Sequence, residues 1–223
     1  KELKFIEIKK SQESNTLAVI EREKNYNNEK LKTLKERIEK ELDCPLKFSA
    51  NKLVFGEGNS KAKIFFIGEA PGFNEDIQGK PFVGESGKLL NKMLDKINIS
   101  RDEIYITNIL KFRPPNNRDP YFSEIKNHVP FLIEQIEIIQ PNIIVPLGKF
   151  ASQFVSASFN LELMEHMPSM KSLNGEERTI NYNGIIYSLF PIFHPSYILR
   201  DLDSKLNLYS NAFNELRTII NTK

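Results

Sequence analysis

The sequence predicts an α/β protein, a three-layer α/β/α sandwich around a four-stranded, mainly parallel sheet. Two observations support this fold class. From residue 62 onward, apolar runs of strand length alternate with segments whose apolar residues recur at helical spacing, and this alternation is typical of parallel sheets. The runs are also continuously apolar, as expected for strands that helices cover on both faces.

The predicted elements follow in chain order. The strands are residues 62–68, 103–110, 142–148 and 184–193. The helices are residues 86–97, 123–139, 149–156 and 205–220, where apolar side chains fall on one helical face. Residues 157–183 interrupt the alternation, and we interpret them as a loop excursion with a weak hairpin.

The chain is predicted to divide near residue 43. Residues 1–43 form an N-terminal extension with a helix over 28–43, and residues 44–223 form the domain built on the sheet. The helix has a narrow apolar stripe, which consists of Leu31, Leu34, Ile38 and Leu42. Either the stripe packs on the domain or the extension contacts another protein.

Composition excludes several classes of protein. The net charge is only +2, and no apolar run approaches the ~20 residues of a membrane span. The single cysteine, Cys44, excludes internal disulfides and any metal site built from several thiolates. We expect a monomer without metal or membrane contact, and a cytoplasmic location, since the first residues are charged and lack the apolar core of a signal peptide.

Polar side chains gather where the predicted strands end. Glu69, Glu75 and Phe82 lie in the loop after the first strand, Asn108 ends the second, and His194 follows the fourth. Parallel strands bring such segments to one edge of the sheet. This set suits a planar, hydrogen-bonding ligand, and nearby basic residues suit its phosphate. Those residues are Lys111, Arg113, Arg118 and Arg200.

An ordered series of motifs runs through these loops. In chain order it reads GEAPG, PFVG, SGKLL, YITN, RPPNNR, PLG and HPSYILR. From about residue 44 to about residue 220, the series resembles the uracil-DNA glycosylase superfamily and is most similar to its family-four type. The resemblance implies a DNA repair enzyme for base excision, which flips uracil out of DNA and hydrolyses its N-glycosidic bond to leave an abasic site.

The resemblance also implies roles for single residues. His194 would face O2 of the base and stabilise negative charge on the leaving uracil. Asn108 would hydrogen-bond to the Watson–Crick edge of uracil and so exclude cytosine. The backbone around Glu69 and Ala70 would face a uracil carbonyl, and Glu69 joins His194 and Asn108 in the expected catalytic set.

Other positions are expected to select the base and hold the DNA. Glu75 would lie near C5 and exclude the methyl group of thymine, while Phe82 would stack on the flipped base. The loop from Ser196 to Arg200 would enter the minor groove, with Leu199 as the apolar wedge. The predicted DNA-binding residues are Lys111, Arg113, Arg118, Ser196, Leu199 and Arg200.

The sequence departs from the family pattern in two places. Family-four enzymes hold an iron–sulphur cluster with four cysteines, whereas this chain has Cys44 alone, with Lys47, Phe112 and His128 at the other positions. We therefore predict a branch without the cluster, tied together by apolar packing or hydrogen bonds. In addition, Ala70 stands where the best-known members have a water-positioning Asp. Either Glu69, Glu75 or Asn108 positions the water in place of this Asp, or stabilisation of the leaving group is enough for catalysis.

Two alternatives belong to other functional classes. One is a non-catalytic module that binds uracil-containing or abasic DNA and recruits a repair partner, although a pure binder has no need of the Asn108–His194 pair. The other is a nucleotide hydrolase of similar fold, which would need a metal site that the sequence does not supply. The segment RPPNNRDPYF also lacks the basic insertion of a related branch that traps its product covalently.

Overall fold

The described chain forms one six-stranded sheet. The structure is a computed structural model that describes the backbone of residues 2–223 and the side chains from residue 18 onward. The strands are β1 (Glu57–Gly58), β2 (Ile64–Gly68), β3 (Ile104–Asn108), β4 (Ile143–Pro146), β5 (Arg178–Tyr182) and β6 (Ile185–Leu189). Their order across the sheet is β1-β3-β2-β4-β6-β5.

The mainly parallel α/β fold is confirmed, but the count of four strands is wrong. The four predicted strands are the inner ones, and β2 pairs in parallel with β3 and β4, as β4 does with β6. Two antiparallel edge strands extend this sheet, since β1 pairs with β3 and β5 pairs with β6. The sheet is therefore mixed at both edges.

Each edge strand has a local physical cause. β1 has only two residues, and a Cβ on Gly58 would lie 2.0 Å from the Ile104 carbonyl oxygen, so the close pairing requires glycine. β5 and β6 form a hairpin around Asn183 and Gly184, whose φ angles are 51° and 82°. An Asn-Gly pair with positive φ is the preferred two-residue hairpin turn.

Helices cover the sheet. They are α1 (Glu2–Glu41), α2 (Leu46–Ser49), α3 (Phe73–Gln78), α4 (Glu85–Lys96), α5 (Phe122–Ile139), α6 (Lys149–Ser156), α7 (Met170–Leu173), α8 (Pro195–Leu199) and α9 (Leu202–Thr222). The helix predicted over 28–43 thus begins much earlier, at Glu2, and ends at Glu41. Within residues 2–223, no helix has both the length and the apolar content needed to cross a membrane.

The sheet separates two apolar cores. Because side chains alternate along a strand, Phe65 and Ile67 of β2 enter the core that contains residues of α1, α5 and α6. Ile64 and Phe66 enter the opposite core, which contains residues of α4, α8 and α9. Burial on both faces explains why the inner strands are continuously apolar.

The second half of α1 belongs to the first core. The apolar stripe of α1 is buried, with Leu34 and Ile38 at most 1% exposed. The Arg37 guanidinium donates to both carboxylate oxygens of Glu134 on α5, at 2.7 and 2.8 Å. Asn127 of α5 also donates to the Asp43 carbonyl oxygen, at 2.6 Å. This half of the helix therefore packs against α5.

We expect the substitution Ile38→Ala to lower the free energy of unfolding by about 3 kcal/mol, because it leaves a cavity between α1 and the sheet domain. Urea denaturation monitored by circular dichroism measures the change. Val19→Ala is the matched control, since Val19 is 53% exposed on the same helix. Equal stability of the two variants would show that α1 does not contribute to the core.

Candidate active site

A cavity of about 910 Å³ opens at the carboxyl edge of the inner strands. The loops after β2, β3, β4 and β6 all contribute to its wall, as expected for a parallel sheet. Residues from the predicted site that line it are Glu69, Ala70, Glu75, Phe82, Asn108, Arg118, His194, Ser196 and Arg200. The fold therefore brings most of the predicted catalytic and base-binding residues to one place.

Asn108 presents an unpaired amide oxygen within this cavity wall. The side chain is 1% exposed, and its Oδ1 has no hydrogen-bond partner among the described residues. The β2–β3 register places Gly68 directly beside Asn108. A Cβ on Gly68 would lie 2.2 Å from this Oδ1 and 2.6 Å from Cζ of Phe82, so only glycine fits. A buried, unsatisfied acceptor calls for a ligand that donates a hydrogen bond.

Phe82 lines the cavity from a strained backbone position. Its φ is 52°, in the left-handed region that phenylalanine rarely adopts. Arg101 holds this turn, because its guanidinium donates to the carbonyl oxygens of Phe82 at 3.2 Å and of Pro81 at 2.5 Å. A Cβ on Gly87 would lie 1.8 Å from the Phe82 oxygen, so the following helix requires glycine there. The surrounding contacts therefore fix the ring in place.

Glu75 closes the same loop from the other side. Its Oε1 accepts hydrogen bonds from the backbone N–H groups of Val83 and Gly84, both at 2.8 Å. The carboxylate is 9% exposed and still lines the cavity. Asp76, which we interpret as structural, accepts instead from Asn51 and is 1% exposed. Glu75 thus has a structural contact that the sequence does not indicate, in addition to its place in the wall.

His194 caps the short helix α8. Its Nδ1 accepts from the Ser196 backbone N–H at 3.2 Å and lies 2.8 Å from the Ser196 hydroxyl. An accepting Nδ1 places the proton of the neutral ring on Nε2. Burial, with a smaller contribution from Arg200, lowers the pKa of His194 to about 4, although the Glu75 carboxylate opposes this shift. At neutral pH, His194 is therefore an uncharged hydrogen-bond donor through Nε2.

Glu69 is a second titratable group with a shifted pKa. Burial raises the pKa of Glu69 to about 7; nearby Asp119 adds to this shift, and Lys149 opposes it. The backbone of Glu69 is fixed, because its carbonyl oxygen accepts from Leu110 at 3.0 Å. A carboxyl group of this pKa can exchange a proton near neutral pH, which is the property required of a general base.

The predicted DNA-binding residues separate into different environments. Arg118 lines the cavity but also pairs with Glu124, with N–O distances of 2.8 and 2.5 Å. Leu199 is 37% exposed on α8. Arg113 donates to Asn117 at 2.7 Å. Arg113 and Leu199 are absent from the cavity wall.

The assignment of Lys111 to DNA binding is wrong. Its side chain has no exposed surface, and all of its hydrogen bonds are to buried groups of the protein. A lysine near a strand end looks like a phosphate ligand in the sequence. The chain after β3 instead turns it into the interior, where it cannot reach a DNA backbone.

The cavity also contains residues that the prediction missed. Lys149 follows the third predicted strand, so the rule that found the other strand-end residues would have found it. Lys171 lies in α7, within the irregular segment 157–183, where no sequence signal marks it. Gly148 approaches His194 closely, since a Cβ there would lie 2.8 Å from Cβ of His194. Arg101, which the prediction also missed, is not in the cavity wall; it donates a hydrogen bond to the Phe82 backbone.

Comparison with known proteins identifies the family. The family model described as the Uracil DNA glycosylase superfamily matches residues 55–217. The chain belongs to the uracil-DNA glycosylase superfamily. The residues around the cavity, from Glu69 to Arg200, all lie within this match.

Curated relatives agree with this assignment. The chain is 45% identical to a type-4 uracil-DNA glycosylase of Saccharolobus solfataricus, over 76% of this chain and 77% of that protein. It is 44% identical to the type-4 enzyme of Archaeoglobus fulgidus, over 70% and 76%. It is 38% identical to the type-4 enzyme of Thermotoga maritima, over 87% and 92%. The superfamily resemblance in the sequence is thus confirmed.

The positions where the family-four pattern expects cysteines do not fit a four-iron cluster in this chain. Cys44 is 1% exposed, and the Lys47 ammonium donates to the Glu39 carbonyl oxygen. The rings of Phe112 and His128 contact edge to face at a centroid distance of 6.3 Å. His128 donates through Nδ1 to the Glu124 carbonyl oxygen at 2.8 Å. One thiol, one ammonium, one phenyl ring and one imidazole cannot replace four thiolates.

We expect the imidazoles of His194 and His128 to titrate with midpoints near pH 4 in NMR spectra of the ring protons, because burial lowers the pKa of both rings to about 4. In the unfolded chain both rings bind protons near the ordinary value of 6.5. Their contribution to stability is therefore complete above pH 6.5 and declines as the pH falls toward 4. Midpoints near 6.5 would contradict the burial of these two rings.

Proposed function

We propose that this protein is a monofunctional uracil-DNA glycosylase that releases uracil from DNA and leaves an abasic site. The observation that carries the proposal is that an unpaired Asn108 Oδ1 and a neutral His194 belong to the wall of one cavity. The type-4 relatives bear this activity in their names. The substrate is uracil-containing DNA, and the protein acts as a monomer. Residues 44–223 supply the cavity, and the second half of α1 completes their core.

The cavity selects uracil by hydrogen bonding and by shape. Oδ1 of Asn108 accepts from N3–H of the base, and the amide nitrogen donates to O4. Cytosine presents the opposite pattern at these two atoms, so one partner on each side would be left unsatisfied. Phe82 stacks on the base face, and Glu75 occupies the space that the methyl group of thymine would need.

His194 assists departure of the base. The C1′–N1 bond breaks with its electron pair going to uracil, so negative charge develops on the base and positive charge on the sugar. The Nε2–H of His194 donates a hydrogen bond to O2 and so stabilises this anion. The imidazole ring itself stays neutral. A fixed donor aimed at developing charge is a large contribution to catalysis. Water then attacks C1′; one of its protons passes to a base, and the other stays on the new C1′ hydroxyl group.

We assign activation of the attacking water to Glu69, because Ala70 has no polar side chain that could do so. The raised pKa of Glu69, about 7, suits it to accept the proton as C1′–O bond formation proceeds. Lys149 supports the ionised form of this carboxyl group, whereas Asp119 opposes it. Both of these residues also line the cavity.

DNA binding is assigned to the rim of the cavity. Arg200, Ser196 and the exposed Leu199 extend from α8, where an apolar side chain can fill the gap left by the extruded nucleotide. Arg118 and Arg113 lie on the opposite loop. To these we add Lys149 and Lys171, which line the cavity and carry the charge that the phosphates flanking a flipped nucleotide require.

The enzyme is proposed to work without the iron–sulphur cluster of family four. The chain has one cysteine, and protein contacts connect the segments that carry the corresponding positions. Arg118 in the RPPNNR loop pairs with Glu124 of α5, and Glu124 also accepts from the Tyr121 backbone at 2.8 Å. Phe112 and His128 pack together, and His128 donates to the Glu124 carbonyl oxygen at 2.8 Å. In this proposal, ionic and apolar contacts connect the segments that the iron–sulphur cluster would otherwise link.

The test is a cleavage assay in EDTA with labelled oligonucleotides that carry a single uracil, either single-stranded, opposite G or opposite A, with thymine as the control base. We expect alkali-revealed breaks at uracil only. His194→Ala should reduce the rate about a hundredfold or more, as expected for loss of a fixed donor. Iron analysis of the same preparation should find none. Tight binding of uracil-containing DNA without cleavage would refute the enzyme proposal and indicate a module that only binds the lesion.

We expect the single-turnover rate to rise with pH through about 7, because Glu69 must be ionised to accept a proton from water. Glu69→Gln should lower the rate and abolish this rise. Glu85→Gln is the control, since Glu85 is an exposed carboxylate on α4. A rise that persists unchanged in the Glu69 variant would assign the proton transfer to another group.

A further inference from the structure

Lys111 is a buried amine that hydrogen-bonds to the backbone of Asn108. Its side chain has no exposed surface. Its Nζ donates to the Thr107 hydroxyl at 2.7 Å, to the Asn108 carbonyl oxygen at 2.8 Å and to Oε1 of Gln135 at 2.6 Å. An isolated charge in such a place is strongly unfavourable, so these contacts have to compensate for lost hydration.

The three partners match an ammonium group. The Thr107 hydroxyl proton is already donated to the Phe55 carbonyl oxygen at 2.8 Å, so this hydroxyl accepts from Lys111. The amide nitrogen of Gln135 donates to the same Phe55 oxygen at 3.0 Å, which turns Oε1 toward Lys111. Three acceptors require three N–H groups, and a neutral amine has only two.

One of these contacts reaches the residue that reads the base. Lys111 holds the Asn108 carbonyl, while the Asn108 side-chain oxygen has no partner among the described residues. The orientation of this amide therefore depends on how firmly its backbone is fixed. The β2–β3 pairing restrains one side of the peptide, and Lys111 restrains the other.

We propose that Lys111 is a positioning residue for uracil recognition, which acts as a buried ammonium that fixes Asn108 from behind. The inference rests on the proposed glycosylase activity and deepens it. Lys111 does not touch the base, and its effect passes through the Asn108 peptide. The acceptors on Thr107, Asn108 and Gln135 can be satisfied together only when the amine is protonated, so base recognition depends on the protonation state of Lys111.

The surroundings define how this state responds to pH. Burial lowers the pKa of Lys111 well below its usual range. Two titratable groups lie in these surroundings. The Tyr105 phenol of β3 accepts from Gln135 at 3.3 Å, and the His128 imidazole of α5 is close enough for the Lys111 charge to lower its pKa. Burial raises the pKa of Tyr105 and lowers that of His128, so both are neutral near pH 7. Activity should therefore fall as the pH rises through the lowered pKa of Lys111.

The first experiment compares Lys111→Met with the wild type at pH 7.5 in the EDTA cleavage assay. We expect kcat/KM to fall about tenfold, less than the loss from removing a donor that touches the substrate. Lys88→Met is the matched control, because the side chain of Lys88 is 70% exposed on α4. Full activity of a folded Lys111→Met protein would overturn the inference.

A second pair of variants tests the charge and does not rely on the stability of Lys111→Met. Gln135→Glu places a carboxylate beside the ammonium and should move the alkaline loss of activity to higher pH. Gln135→Met removes one acceptor and should move it to lower pH. Ionisation of N3–H in the substrate would give the same alkaline limb in every variant, so unmoved limbs would overturn the inference.

The outcomes separate the two proposals. If the wild-type protein releases uracil but the alkaline loss of activity is unmoved in both Gln135 variants, the role of Lys111 is refuted. The glycosylase proposal then still stands. Wild-type protein that releases no uracil at any pH would sink the glycosylase proposal itself. Opposite displacements of the two limbs, with activity near pH 7 retained, are the result that supports Lys111.

Discussion

The in-register pairing of β2 with β3 places Gly68 against Asn108, and the geometry of the cavity depends on this contact. Any side chain at residue 68 would occupy the space of the Asn108 amide and the Phe82 ring, 2.2 and 2.6 Å from the missing Cβ. The pairing also continues past the strands, because Ile109 donates to the Gly68 carbonyl oxygen at 2.9 Å. A shift of one residue in register would turn Asn108 to the other face of the sheet.

Supporting residues behind the cavity wall keep its functional groups rigid. Arg101 holds the strained Phe82 backbone, Glu75 holds the next two backbone N–H groups, and Lys111 holds the Asn108 carbonyl. His194 is held by the start of α8. Such support matters because a recognition site loses selectivity when its donors and acceptors can move by about an ångström. The chain therefore uses buried polar groups to orient the few side chains that face the ligand.

Electrostatics in the cavity favours neutral side chains. Burial lowers the pKa of His194 to about 4 and raises that of Glu69 to about 7. Both shifts have the same cause, since a poorly hydrated environment disfavours the charged form of either group. The basic side chains at the rim, such as Arg200 and Lys171, remain closer to solvent. This separation fits a ligand with a neutral planar base and a charged backbone.

The amino-acid sequence predicts the alternation of strands and helices, the inner parallel strands and the positions of Glu69, Asn108 and His194 at strand ends, because apolar periodicity and strand-end position are local properties of the chain. The antiparallel edge strands, the burial of Lys111 and the entry of Lys171 into the cavity wall come from the packed fold. Pairing at an edge depends on which backbone is left open, and the direction of a long side chain depends on neighbours distant in sequence. Lys111 shows the difference most clearly, since only packed Thr107 and Gln135 make a buried ammonium tolerable.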